Sequence, residues 1–229
     1  MKTYLAELIG TYVLIFLGTG AIIINDLTPI SIGHLGISLS FGIAVTSMIY
    51  LFRSVSGAHI NPAVSIAFVF AGGFKSSDLF GYILAQISGA ILASLSLYVL
   101  FDGHKNLGAT IPANSVLQSF ILELILSFVL MLVILFISQS PTVERYTAIA
   151  VGATVAIEAF LGGPISGASM NPARSIGPAL ISGHFEHLWI YIVSPCFGMI
   201  LASFTWRFYS KRPKTSDANK SHQSNLVNR

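Results

Sequence analysis

SGAHINPAVSI (residues 56–66) and SGASMNPARSI (residues 166–176) are one phrase written twice, 110 residues apart, with eight of eleven letters shared. At the centre of each copy stands Asn-Pro-Ala, flanked by apolar sequence. Asparagine is among the best helix N-caps, and proline is favoured at the first helical position, where its missing N–H costs nothing. Asn61-Pro62 and Asn171-Pro172 therefore each predict a helix start. Ala63 and Ala173, which follow, are small enough to let two helix ends approach each other.

The composition specifies the solvent around these starts. Only 9% of residues are charged, against roughly 25% in soluble domains, while 54% are hydrophobic. Six apolar runs, at about 4–24, 36–51, 79–101, 117–137, 146–161 and 188–209, approach the length a helix needs to cross a bilayer. They lack the alternation of a half-buried strand. The first run follows Lys2 in the manner of a secretory leader, but it is too long, contains Glu7 and is followed by no small-residue cleavage site. The pieces that start at the two Asn-Pro-Ala motifs, 62–72 and 172–181, are only about half as long as the bilayer core requires. The expectation is an all-α membrane protein with six spans and two re-entrant half-helices. Cys196, the single cysteine, reads as packing and allows no intramolecular disulfide.

The duplication extends beyond the tripeptides. SGAILAS at 88–94 recurs as FGMILAS at 197–203, and AELI at 6–9 echoes LELI at 122–125. One domain, 1–229, thus contains two repeats, at about 4–101 and 117–209, with a polar tail at 211–229 expected to be disordered. Each repeat holds an odd number of spans, so the second is inverted relative to the first and the half-helices enter from opposite faces. Ten of the twelve Lys and Arg residues then fall on one side, which predicts cytoplasmic termini; only Lys105 and Arg174 fall on the other. The basic tail reads as a topology signal, and the net charge of +3 implies no nucleic-acid partner.

Two helix N-termini meeting at the midplane place positive dipole ends and two carboxamides at one point. Non-helical backbone at that depth is tolerated where it is buried in protein or lines a water-filled cavity. The segments 54–60 and 162–170, which lead into the motifs, are read as such backbone, with carbonyls as acceptors for a file of water. A positive centre repels cations, and two donors there orient each water and interrupt proton relay. Arg174 lies three residues into the second half-helix, roughly 4.5 Å from the junction. At such depth a cation faces a pore or a partner; the reading is a donor-rich constriction, and the alternative is a salt bridge to Glu158.

SGAHINPAVSIAF, GPISGASMNPARSIGPA and the inverted repeat resemble the aquaporin, or major intrinsic protein, family over about residues 4–209, and the second phrase is most similar to its nodulin-26-like branch. The resemblance implies a passive channel in the plasma membrane, homotetrameric, with a pore in each protomer. It implies that Phe41, Ala159 and Ala168 join Arg174 as the walls of the selectivity filter, and that Glu7 and Glu123 brace the irregular loops by accepting backbone N–H bonds. Water-specific members usually carry histidine where this chain has Ala159, so the filter is expected to be wide enough for glycerol, urea or uncharged metalloid hydroxides. Glycerol facilitators characteristically have aspartate where this chain has Ser175. A mixed pore for water and small neutral solutes satisfies both, with a strictly water-selective channel as the alternative.

Glu158 has no counterpart in the first repeat and is expected near the outer end of its span, within reach of water. His59, two residues before the first motif, is assigned to the inner vestibule or to loop packing. His184, Glu186 and His187 have a passable metal spacing but read as exposed loop residues, so no metal is expected. A secondary transporter would need coupling-ion ligands at the midplane, where this chain offers amides; a structural junction protein would keep the fold with little flux. No phosphate loop, nucleophile elbow or zinc-spaced set suggests an enzyme or a cofactor.

Overall fold

The computed structural model describes residues 1–28 and 32–210; the tail singled out above lies outside the described residues. Eight α-helices occur there: α1 Lys2–Leu27, α2 Gly33–Ser56, α3 Pro62–Ala71, α4 Ser76–Leu100, α5 Val116–Ser138, α6 Thr147–Ser166, α7 Pro172–Ser182 and α8 Leu188–Ser210. Six are long and apolar enough to cross a membrane, and among the described residues there is no strand. The fold is all-helical. Helices α3 and α7, at 10 and 11 residues, are the half-spans.

The spans are longer than the hydropathy pattern suggests, because helix continues into polar sequence. Helices α2 and α6 run on to Ser56 and Ser166 and end at Gly57 and Gly167, whose φ values of 86° and 87° are open to glycine without strain. The non-helical backbone is consequently shorter than the expected 54–60 and 162–170, and is confined to 57–61 and 167–171.

Pairing follows the repeat. Helix α1 packs on α2 and α4, and α5 packs on α6 and α8; α2 and α6 form the seam between the repeats. Each half-helix crosses to the other repeat, α3 lying mainly on α8 and α7 on α4. Small residues set these approaches, as bilayer packing requires. Gly89 of α4 lies against the Leu8 carbonyl of α1, and Gly198 of α8 against the Leu124 carbonyl of α5, with no room for a β-carbon at either. The outer surface carries large apolar side chains such as Leu92, Ile149 and Phe197, suited to lipid.

Candidate functional site: a cavity between two helix starts

Asn61 and Asn171 cap α3 and α7 from extended backbone. Each side-chain oxygen accepts from its own helix: Asn61 Oδ1 from Ala63 N–H at 2.9 Å, Asn171 Oδ1 from Ala173 N–H at 3.0 Å. That acceptance fixes each amide's orientation, because the NH2 group must then point the other way. Asn61 Nδ2 donates to the Met170 carbonyl at 2.8 Å, and Asn171 Nδ2 donates to the Ile60 carbonyl at 2.9 Å. The two motifs are thereby stitched together, with Pro62, Ala63, Pro172 and Ala173 buried behind them. Each amide keeps a second N–H, and both asparagines line one continuous cavity with about 90 Å³ open to the centres of water molecules.

The loops leading to the asparagines are held in an unusual conformation. Ala58, Ile60, Ala168 and Met170 adopt left-handed φ values of 51°, 44°, 42° and 52°. For non-glycine residues this is strained, and surrounding structure must enforce it. Glu7 does so for the first loop: Oε1 accepts from Ser56 Oγ and His59 N–H, and Oε2 from Ile60 N–H and Gln86 Nε2. Glu123 repeats the arrangement with Ser166 Oγ, Ser169 N–H and Met170 N–H. Tyr82 and Tyr191 donate their hydroxyls to the Ser56 and Ser166 carbonyls, each at 2.7 Å. These ties absorb the amide hydrogens, and among the described residues the carbonyls of Gly57, Ala58 and His59 meet no donor. The carbonyls of Ile60 and Met170, expected among the acceptors for water, are instead occupied by the asparagine amides.

At one end of the cavity Phe41, Ala159, Ala168 and Arg174 converge on its wall. Arg174 is buried; Nη1 donates to the Gly108 carbonyl at 2.6 Å, and the guanidinium carbon lies 5.1 Å from the Phe41 ring centre. Among the described residues its Nε meets no acceptor. The loop 101–115, which no motif marked, supplies Gly108 and also Thr110, whose hydroxyl donates to Ser175 Oγ at 2.8 Å. Ser175 also bonds Ser169 and is fully buried, so it knits loops together and lies behind the wall. At the other end the cavity is lined by His59, Phe68 and Arg53. His59 is buried, stacked on Phe68 at 4.7 Å and bonded through Nδ1 to Ser65 Oγ. Arg53 pairs with Glu144 at 3.2 Å. Between the ends the walls are apolar: Leu14, Val45, Ile49, Val151 and Val155.

Glu158 departs from expectation. It is 5% exposed, with neither oxygen bonded among the described residues, so water access and the salt bridge to Arg174 are both absent. His184 bonds Ser182 and His187 faces Glu186 at 3.6 Å; among the described residues no three metal-ligating side chains cluster.

Two half-helices meeting nose to nose beside a lined cavity, within six spans, define a membrane protein of the re-entrant, inverted-repeat class. Residues 1–206 match the major intrinsic protein family, and the chain belongs to it. Aquaporin NIP1-1 of Zea mays is 42% identical over 216 residues, covering 92% of this chain and 77% of that protein. Nodulin-26 of Glycine max is 38% identical over 225 residues, covering 96% and 83%. The X-ray structure of the aquaglyceroporin from Plasmodium falciparum superposes with a TM-score of 0.83 at 26% identity, covering 92% of this chain and 96% of that one.

Proposed function

We propose that this protein is a passive channel for water and small uncharged solutes that excludes ions and protons. The observation that carries the reading is the pair Asn61 and Asn171, each holding one repeat to the other with one N–H and offering the second to a shared cavity. Water passing there accepts from both amides, so its own hydrogens point outward in both directions and a proton cannot be handed through. The N-termini of α3 and α7 add positive potential, and Arg174 adds a full charge. Among the described residues no carboxylate lines the cavity, since Glu7 and Glu123 are turned into the loops they hold. A cation therefore finds repulsion at the centre and no ligand to replace its hydration.

Ala159 and Ala168 are the smallest walls of the constriction, which supports passage of glycerol, urea or metalloid hydroxides beside water. The names of the relatives, aquaporin and aquaglyceroporin, support the same range. A lipid-facing apolar surface and the family habit support a homotetramer in the plasma membrane with cytoplasmic termini, and no catalytic or cofactor role is assigned. The test is parallel water, glycerol and urea flux in proteoliposomes without an ion gradient. Fast flux of water and at least one larger solute supports the reading; passage of water alone overturns the wide-filter part, and dependence on an ion gradient would indicate a transporter.

A further inference from the structure

Pro164 sits inside α6, and proline has no amide hydrogen to donate. The carbonyl four residues earlier, that of Phe160, is therefore without its helical donor. His34, near the start of α2, supplies one: its Nε2 lies 2.7 Å from the Phe160 carbonyl oxygen. A carbonyl only accepts, so Nε2 carries the hydrogen. The imidazole also stacks on the Phe160 ring, with centres 5.3 Å apart and planes 26° from parallel. Gly163 completes the seat, since a β-carbon there would stand 2.8 Å from His34 Cε1. One turn of α6 thus supplies the acceptor, the stacking plane and the space for a single ring.

The position of this contact gives it leverage on the constriction. Helices α2 and α6 cross where Gly42 and Gly152 touch, each with the other's carbonyl against it. Eight residues along each helix from that crossing, 42 to 34 and 152 to 160, His34 meets Phe160. Phe41 and Ala159 both lie between the crossing and the clamp. With the pivot fixed by two glycines, the His34 bond decides how far α2 and α6 splay beyond it, and so how far Ala159, seven residues from the crossing, stands from Phe41 beside the pivot. We propose that His34 is a positioning residue that fixes the aperture between the α2 and α6 walls of the constriction, and thereby the size of solute admitted. This assignment rests on the reading of Phe41 and Ala159 as pore walls.

The experiment compares the glycerol-to-water permeability ratio of wild type, His34→Ala, His34→Gln, Pro164→Ala and the His34→Ala/Pro164→Ala double variant in proteoliposomes, with Ala159→His alongside. His34→Ala should raise the ratio about threefold, the scale set by loss of one hydrogen bond, and His34→Gln, which keeps a donor, should stay near wild type. Pro164→Ala gives Phe160 its helical donor, so the double variant should show no larger ratio than His34→Ala alone. An unchanged ratio in His34→Ala, even with lowered thermal stability, overturns the proposal. So does a His34→Ala effect that multiplies undiminished in the Pro164→Ala background. Ala159→His separates the two readings: if it abolishes glycerol flux while His34→Ala changes nothing, the His34 assignment alone fails. If it leaves glycerol flux intact, the wall reading fails and takes this one with it.

Discussion

Asn61 reaches across the repeat boundary and donates its side-chain amide to the carbonyl of Met170 at 2.8 Å. The bond does two things at once. It satisfies a carbonyl that left-handed backbone would otherwise leave bare, and it holds the amide so that its second hydrogen stays in the cavity. Aspartate would keep the cap, because its oxygen can still accept from Ala63 N–H, but it cannot donate to Met170 and adds a negative charge. Asn61→Asp should therefore fold, lose water flux and admit cations. A pH-sensitive dye trapped in proteoliposomes should report acidification under an imposed proton gradient; vesicles as tight as wild type would contradict the role given to the amide.

Ala159→His adds an imidazole to the cavity wall to which the buried Arg174 also contributes. The added ring narrows the opening and offers a polar edge. Glycerol flux should fall at least about tenfold while water flux stays within about threefold, the range that steric loss of one contact surface spans. Light-scattering traces under glycerol and sucrose gradients measure both. Equal loss of the two fluxes would indicate a blocked or misfolded pore.

Glu123 accepts three hydrogen bonds at 2.7 to 2.8 Å with no exposure to solvent. Glutamine would turn an NH2 toward at least one of those donors and remove the charge that strengthens the rest. Since hydrogen bonds to charged groups contribute about 1.5–3 kcal/mol each, Glu123→Gln should destabilise the protein by about 3 kcal/mol. Thermal unfolding in detergent should show the loss, and any correctly folded fraction should retain the wild-type ratio of water to glycerol flux. Glu7→Gln should behave alike, for Glu7 holds the other loop in the same way. A full-strength fold in either variant would remove the carboxylates from the list of loop-holding residues.

Gly198 has the Leu124 carbonyl where a β-carbon would go. Valine there forces α8 off α5, a backbone collision that no rotamer relieves, so Gly198→Val should yield no folded protein by size-exclusion chromatography. Leu201, half exposed on the same helix, serves as the control: Leu201→Val should fold normally.

Much of this arrangement was legible because the sequence writes it twice. The Asn-Pro pairs announce helix starts by cap chemistry, and the apolar run lengths separate spans from half-spans. AELI and LELI mark two carboxylates at matching places, and the structure gives them matching partners. What the sequence did not disclose lies in contacts between distant segments. Gln86, Tyr82 and Tyr191 look like ordinary span residues until their hydroxyl or amide groups are seen on Glu7, Ser56 and Ser166. The loop 101–115 carries no periodicity, yet Gly108 holds Arg174. Glu158 is buried although its place near the end of a span suggests contact with water, because position along a span gives depth but not which neighbour the side chain faces. Helices α2 and α6 continue to Ser56 and Ser166, past the loop starts expected at residues 54 and 162, and there each serine hydroxyl is paired to a carboxylate.

Asn61 and Asn171 are proposed to border an aqueous thread that carries water and stops protons. Stopped-flow shrinkage of proteoliposomes under a sucrose gradient, recorded together with a trapped pH indicator, measures both properties of one preparation. Osmotic shrinkage well above that of protein-free vesicles is expected, with a proton leak indistinguishable from theirs. Shrinkage at the protein-free rate, or water flux accompanied by matching proton entry, would contradict it.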